Sequence, residues 1–261
     1  MVRTKHFLVK TNGDVFEEFQ QFICGQILYL QLDRRIRVVY ITSDKFKRSF
    51  EEYFSFRHDE ISMEQLSKSK YLYNPSKQSE YLRDLEYGED LDYFVFEATS
   101  EFRTPNSDIL GYTQAKSKVH RILINSVHEY VYPQLNMLYS EEKLNVGLNY
   151  NMKDVSNVYS HCGVEMFNYI DFSNSSSMSK KGIEKYQIED KLLLYIALSR
   201  CDFIIGDLDD MVNYESCMPK LSMVHDVSMN PKYDILLPVQ IVYHQSCLFP
   251  NSQILLQYIH T

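Results

Sequence analysis

The chain has 261 residues, with 35 acidic and 27 basic side chains, a formal charge of −8 and 44% hydrophobic residues. That balance excludes a collagenous or fully disordered chain and supplies no basic surface for broad nucleic-acid binding. The bias is aromatic, 21 Tyr and 15 Phe without a Trp, while 8 Gly and 7 Pro suggest regular elements joined by ordinary loops.

No apolar run approaches the roughly 18–20 residues of a membrane-spanning helix. The basic N-terminus is followed by only a short apolar stretch, residues 7–9, which is too brief for a signal-peptide core. Cys24, Cys162, Cys201, Cys217 and Cys247 are odd in number and contain no C-x-x-C pair. A disulfide framework or structural zinc site is therefore not expected. These features predict a soluble protein of the cytoplasm or another reducing compartment, without a transmembrane segment.

In chain order, residues 6–11 form an apolar run that ends at the turn signal Asn12-Gly13-Asp14. Helical spacing follows over 16–32, carried by Phe16, Phe19, Ile23, Ile27 and Leu30. Residues 37–42 are a β-branched strand, and 46–56 a helix after the Ser43-Asp44 cap. This alternation is the signature of a parallel α/β unit. His58-Asp59-Glu60 reads as a solvated loop, and 92–98 as a buried strand. Residues 114–138 are mostly helical, with Pro133 breaking or kinking the helix.

Strand patterns restart at 144–150 and 164–172, followed by a serine-rich loop over 173–179. A long amphipathic helix is predicted over 183–201, running into a strand at 202–206. Further strands are expected at 220–225 and 235–243, and a closing helix at 252–259. The restart near residue 140 predicts two Rossmann-like halves with mainly parallel sheets, 1–140 and 141–261. Ligands in such folds sit beyond the carboxyl ends of the strands. The relevant segments are 12–14, 149–154 and 207–210.

Three motifs at those strand ends resemble the two-Rossmann (GT-B) glycosyltransferases of the fucosyltransferase group. The first is Gly13-Asp14-Val15-Phe16-Glu17-Glu18-Phe19-Gln20, with a helix exit at Leu32-Asp33-Arg34-Arg35. It matches the family's glycine turn, with Phe16 and Glu17 standing where the family has Gly and Asn. The second is Val146-Gly147-Leu148-Asn149-Tyr150-Asn151-Met152-Lys153-Asp154. Here Asn149 and Asn151 occupy the family's His and Arg positions, and Lys153 offers a point charge in place of the guanidinium. The third is Ala197-Leu198-Ser199-Arg200-Cys201-Asp202 and its strand, followed by Asp207-Leu208-Asp209-Asp210 where the family has hydroxyl residues.

The resemblance implies transfer of a sugar, fucose among the candidates, from a nucleotide-sugar donor to a glycan or protein hydroxyl. A GDP-sugar would be held by the C-terminal half and a glycan or glycoprotein acceptor by the N-terminal half, in the interdomain cleft. Glu17, Asn151 and Lys153 would be catalytic; Gly13, Asn149, Asp154, Asp207 and Asp210 would bind the donor. No cofactor is required on this reading. In one alternative, Asp207-x-Asp209 holds Mg²⁺ or Mn²⁺ on the diphosphate, since hard oxygen ligands suit those ions; the plainer reading is that Asp207 and Asp210 cap the segment from Met211. Another alternative is a non-catalytic binding or scaffold protein, because all three motifs carry substitutions. A Cys/His pair drawn from His161, Cys162, His225, His244 and Cys247 finds no support in spacing. Tyr71-Leu72-Tyr73 and Tyr130-Val131-Tyr132 are candidate acceptor or partner surfaces.

Overall fold

The computed structural model describes residues 5–31, 36–73, 92–98, 109–149, 167–172, 184–206, 210–219 and 223–226. The chain divides into two compact units, Met1–His128 and Glu129–Thr261.

The N-terminal unit is built on strands β1 (Lys5–Lys10), β2 (Ile36–Ile41), β3 (Tyr71–Tyr73) and β4 (Tyr93–Glu97). They form a parallel sheet in the order β2-β1-β4-β3. Because side chains alternate along a strand, Leu8 of β1 shares a face with its register partners Val39 and Val95. Those three pack with Ile61 and Leu66, the latter on the short helix α3 (Met63–Ser67).

Tyr40, one residue beyond Val39, meets Phe22 of α1 (Val15–Gln31) at 4.8 Å between ring centroids. Phe22 also touches Phe46 and Phe50 of α2 (Asp44–Tyr53), and Phe19 stacks on Phe54. The phenylalanine surplus is therefore largely structural here. Each such ring contributes about 1.5–3 kcal/mol by burial. Helix α4 (Ile109–Asn125) packs on α1, where the Cys24 thiol lies 3.6 Å from the Tyr112 hydroxyl.

The C-terminal unit carries β5 (Leu144–Asn149), β6 (Phe167–Asp171), β7 (Glu184–Lys185), β8 (Phe203–Gly206) and β9 (Met223–Asp226). All pairs are parallel, in the order β7-β6-β5-β8-β9. Numbered within the unit that order is 3-2-1-4-5, the Rossmann arrangement, and the direction of winding reverses between β5 and β8. A 3₁₀ turn (Glu129–Val131) and α5 (Tyr132–Asn136) precede this sheet, and α6 (Lys191–Leu198) and α7 (Met211–Cys217) connect its later strands.

Two helix expectations need correction. The helix expected over 114–138 ends at Asn125, and the chain turns at Ser126 before Val127 bridges to Phe54. Pro133 lies in the first turn of α5, where its missing N–H removes no helical bond. The helix expected over 183–201 shrinks to Lys191–Leu198. Glu184 and Lys185 pair with Ile170 and Asp171 instead, and the Asp190 side chain accepts from the backbone N–H groups of Leu192 and Leu193. Sheet pairing and a cap outweigh the apolar spacing upstream. The strand expected at 220–225 is β9, described from Met223. The expected elements at 235–243 and 252–259 and the loop at 173–179 lie outside the described residues.

Candidate functional site

At the carboxyl end of β1 the chain turns through Asn12 and Gly13 into α1. Gly13 adopts φ 116°, a left-handed conformation that favours glycine. A Cβ there would also lie 2.2 Å from Glu17 Oε2. Asp14 caps the helix: its Oδ1 accepts from the Phe16 and Glu17 N–H groups at 2.8 Å. The Glu17 carboxylate returns the bond, accepting from Asp14 N–H at 2.7 Å. This reciprocal pair is a capping box. Glu17 is exposed, while Phe16 is buried against Phe19 at 5.6 Å.

The neighbouring carboxylate, Glu18, was missed by motif reading. It is 2% exposed and joins the ends of both first strands. Its Oε2 accepts from Thr11 Oγ1–H at 2.5 Å and from Ser43 N–H at 3.0 Å. Its Oε1 accepts from the Ser43 hydroxyl. One turn on, the Gln21 side-chain amide binds Asn12 twice, donating to its carbonyl and accepting from its N–H, both at 2.8 Å. The available signal was positional: Glu18 lies four residues before Phe22, on the helix face that enters the core.

In the C-terminal unit, Asn149 and Gly206 are register partners at the carboxyl ends of β5 and β8, where the winding reverses. A Cβ on Gly206 would lie 2.2 Å from the Asn149 carbonyl oxygen and 2.4 Å from Asn213 Nδ2. The backbones meet there because nothing separates them. Asn149 Nδ2 donates to Asn213 Oδ1 at 2.8 Å and to Asp210 Oδ2 at 3.3 Å. Asn213 Nδ2 donates back to the Asn149 carbonyl at 3.0 Å. Asp210 Oδ1 accepts from Val212 N–H, so Asp210 is the N-cap of α7. The structure thus gathers Asn149 and Asp210 at one strand end. Asn151, Lys153, Asp154, Asp207 and Asp209 lie outside the described residues.

Among the described residues no group of three or more His, Cys, Asp and Glu side chains could hold a metal ion. Cys24, Cys201 and Cys217 are buried free thiols. Burial, and secondarily Glu215, pushes the Cys217 thiol well above its ordinary range, the reverse of what a thiolate nucleophile requires. His161, Cys162, His244 and Cys247 lie outside the described residues. Tyr71 and Leu72 of β3 are exposed on an edge strand, and Tyr130 is exposed in the 3₁₀ turn, whereas Val131 is buried.

The segment 58–60 is not a solvated loop. Glu60 bridges to Tyr40 beside β2, and its carboxylate takes the Lys47 ammonium at 2.6 Å and lies 2.9 Å from His58 Nε2. These contacts, the His58 hydrogen bond first, hold the Glu60 carboxyl down to about 2.

No known protein family matches the sequence, and no curated protein matches it either. Solved structures do. An arginine-to-lysine mutant of FUT1 from Arabidopsis thaliana, in complex with GDP, aligns with a TM-score of 0.55 and 8% identity. That alignment covers 85% of this chain and 70% of the plant chain. The chain has a GT-B-like fold. POFUT1 in complex with GDP aligns at 9% identity and a TM-score of 0.46, covering 87% of this chain and 99% of that one. UDP-GlcNAc 2-epimerase from Methanocaldococcus jannaschii aligns at 10% identity and a TM-score of 0.47, covering 98% and 92%. Among the described residues no helix is long and apolar enough to cross a membrane.

Proposed function

We propose that the chain is a glycosyltransferase that moves a sugar from a GDP-sugar, fucose among the candidates, to a glycan or glycoprotein hydroxyl. The observation that carries this reading is the pairing of Asn149 with Gly206 where the C-terminal sheet reverses, inside a GT-B-like fold. The structurally similar plant protein was solved with GDP, which supports the same donor class here. The C-terminal unit takes the donor side and the N-terminal unit the acceptor side. Lys153 and Asn151 follow Asn149 in sequence and supply cation and amide to the diphosphate; Asp154 and Asp210 complete the donor set with Gly13 and Asp207. Glu17 is the base for the acceptor hydroxyl, and no metal is required.

A second reading, a non-catalytic binding or scaffold protein, is favoured by one group of contacts. The Glu17 and Asp210 carboxylates already serve helix caps, so chemistry at either would have to break a structural bond. A third, metal-dependent reading places Mg²⁺ or Mn²⁺ on Asp207 and Asp209.

Calorimetric titration with GDP, GDP-fucose and UDP-GlcNAc, with and without Mn²⁺, separates the three. Metal-independent GDP binding that weakens about tenfold or more in Lys153→Met supports the leading reading. Binding that appears only with Mn²⁺ and vanishes in Asp209→Ala supports the metal reading. No binding of any sugar nucleotide overturns both and leaves the non-catalytic one.

A further inference from the structure

A cleft of about 330 Å³ opens in the N-terminal unit, between the end of α1, the beginning of β2 and the segment 56–59. Its lining residues come from Gln26 and Tyr29 of α1, Arg37 and Val38 of β2, and the run from Phe56 to Asp59. Arg37 and Val38 lie in the first half of β2, whereas Ser43 follows the strand's other end. The cleft is therefore at the opposite end of β2 from the Thr11–Glu18–Ser43 junction.

The cleft has fixed walls. Tyr40 N–H donates to the Asp59 carbonyl at 2.9 Å and Ile61 N–H to the Tyr40 carbonyl at 3.0 Å, which holds 59–61 alongside β2. Thr42 Oγ1–H donates to Glu60 Oε1 at 3.1 Å, and Glu60 in turn holds His58 and Lys47. His58 packs edge-on against Phe22, Tyr40 and Phe50, so the wall is anchored in the aromatic core. On the α1 side, Gln26 Nε2 donates to the Tyr40 hydroxyl at 2.9 Å.

Two arginines, Arg37 and Arg57, are among the residues that line this fixed cleft. Both residues are exposed, and neither side chain makes a hydrogen bond or ion pair with a described residue. Counting Asp59, the lining keeps a net positive charge on a chain whose formal charge is −8. Unpaired arginines in a concave site present a planar fork of donors, which fits phosphate and carboxylate oxygens better than any other common group. The Tyr29 ring, 53% exposed, offers a flat apolar face beside them. Asp59 adds an acceptor for hydroxyl groups. The volume lies at the small end of the roughly 300–1,000 Å³ typical of small-molecule sites.

The geometry points to a binding site for a phosphate-bearing small molecule of sugar-phosphate size, with Arg37 and Arg57 on the phosphate and Asp59 on the hydroxyls. It lies at the opposite end of β2 from the Thr11–Glu18–Ser43 junction and does not depend on that junction. Isotope-labelled protein titrated with ribose 5-phosphate, inorganic phosphate and unphosphorylated ribose, with arginine Nε–H signals followed by NMR, tests it.

Ribose 5-phosphate should bind saturably and shift the Arg37 and Arg57 signals, while ribose alone should not. Arg37→Gln and Arg57→Gln should each weaken binding roughly tenfold to a hundredfold, the range for a hydrogen bond to a charged group. Asp59→Asn should weaken ribose 5-phosphate and leave inorganic phosphate unchanged. Both arginines are exposed, so the amide spectra of these variants should stay those of the folded protein. Wild-type affinity in both arginine variants overturns the assignment. So does the absence of saturable binding up to about 10 mM ligand, or saturable binding of an acidic peptide where all the phosphates fail.

Discussion

Replacing Glu18 probes the junction that ties β1, α1 and β2 together. Its carboxylate accepts three hydrogen bonds, from the Thr11 hydroxyl, the Ser43 N–H and the Ser43 hydroxyl. Hydrogen bonds to a charged acceptor contribute about 1.5–3 kcal/mol each, and neutral ones about 0.5–1.5 kcal/mol. Glu18→Ala removes all three, but the two hydroxyls can recover part of the loss. Thr11 already reaches the Ile41 carbonyl at 3.2 Å, and Ser43 Oγ still accepts from Phe46 N–H. The Ser43 N–H is left with no acceptor. A destabilisation of about 3–5 kcal/mol follows.

Glu18→Gln keeps one oxygen for Thr11 and the Ser43 N–H and turns an NH₂ group toward the Ser43 hydroxyl, costing about 1–3 kcal/mol. Urea unfolding followed by circular dichroism gives both values. Native-state hydrogen exchange at Ser43 should show the local opening directly. A cost below about 1 kcal/mol for Glu18→Ala, or a glutamine variant less stable than the alanine one, would refute the assignment of Glu18 as the junction's acceptor.

Gly206→Ala should cost about 2–4 kcal/mol and Gly147→Ala less, because the first Cβ strikes the Asn149 backbone and the second meets the Leu198 and Cys201 side-chain ends at 2.8 Å; equal shifts in urea midpoint would contradict this. Glu60 is held at about 2 against an ordinary 4.5. Its contribution is therefore complete above pH 4.5 and fades as the pH falls toward 2. The linkage ceiling is about 3 kcal/mol, which solvent screening at this partly exposed site reduces to about 1–2 kcal/mol. The stability gap between wild type and Glu60→Gln should close over that acid range, and a gap independent of pH would argue against it. Asp190→Ala should cost about 1 kcal/mol through loss of the α6 cap, measurable by the same unfolding assay.

Much of the scaffold was readable because apolar periodicity and turn chemistry agreed. The strands at 6–11, 37–42, 92–98 and 144–150 correspond to β1, β2, β4 and β5 within about a residue. Where they disagreed, a long-range contact decided. The helical spacing upstream of Asp190 yields to the pairing of Glu184 and Lys185 with β6, and no local pattern records that partner. The carboxylates were harder still. The family resemblance implied a catalytic role for Glu17, and its side chain also reaches back to cap the helix. Glu18, one residue on, points to the core-side donors. A rotation of about 100° around the helix separates an exposed cap from a buried junction. The cleft at Arg37 and Arg57 was illegible for a similar reason, since its two arginines lie on a strand and on a later segment that only the bridge at Tyr40 and Glu60 brings together.

The position of β1 between β2 and β4 sets the order in which the N-terminal unit can be made. Its partner on one side follows within the same βαβ unit, but Lys10 and Glu97, which join it to β4, are 87 residues apart. At a synthesis rate of about 5–20 residues per second, that separation corresponds to roughly 4–17 s during which β1 has an open edge. The strand that ends at the heart of the sheet begins as its rim. A chaperone that shields unpaired strands would have that window, and a synonymous change that slows translation between the two strands would lengthen it.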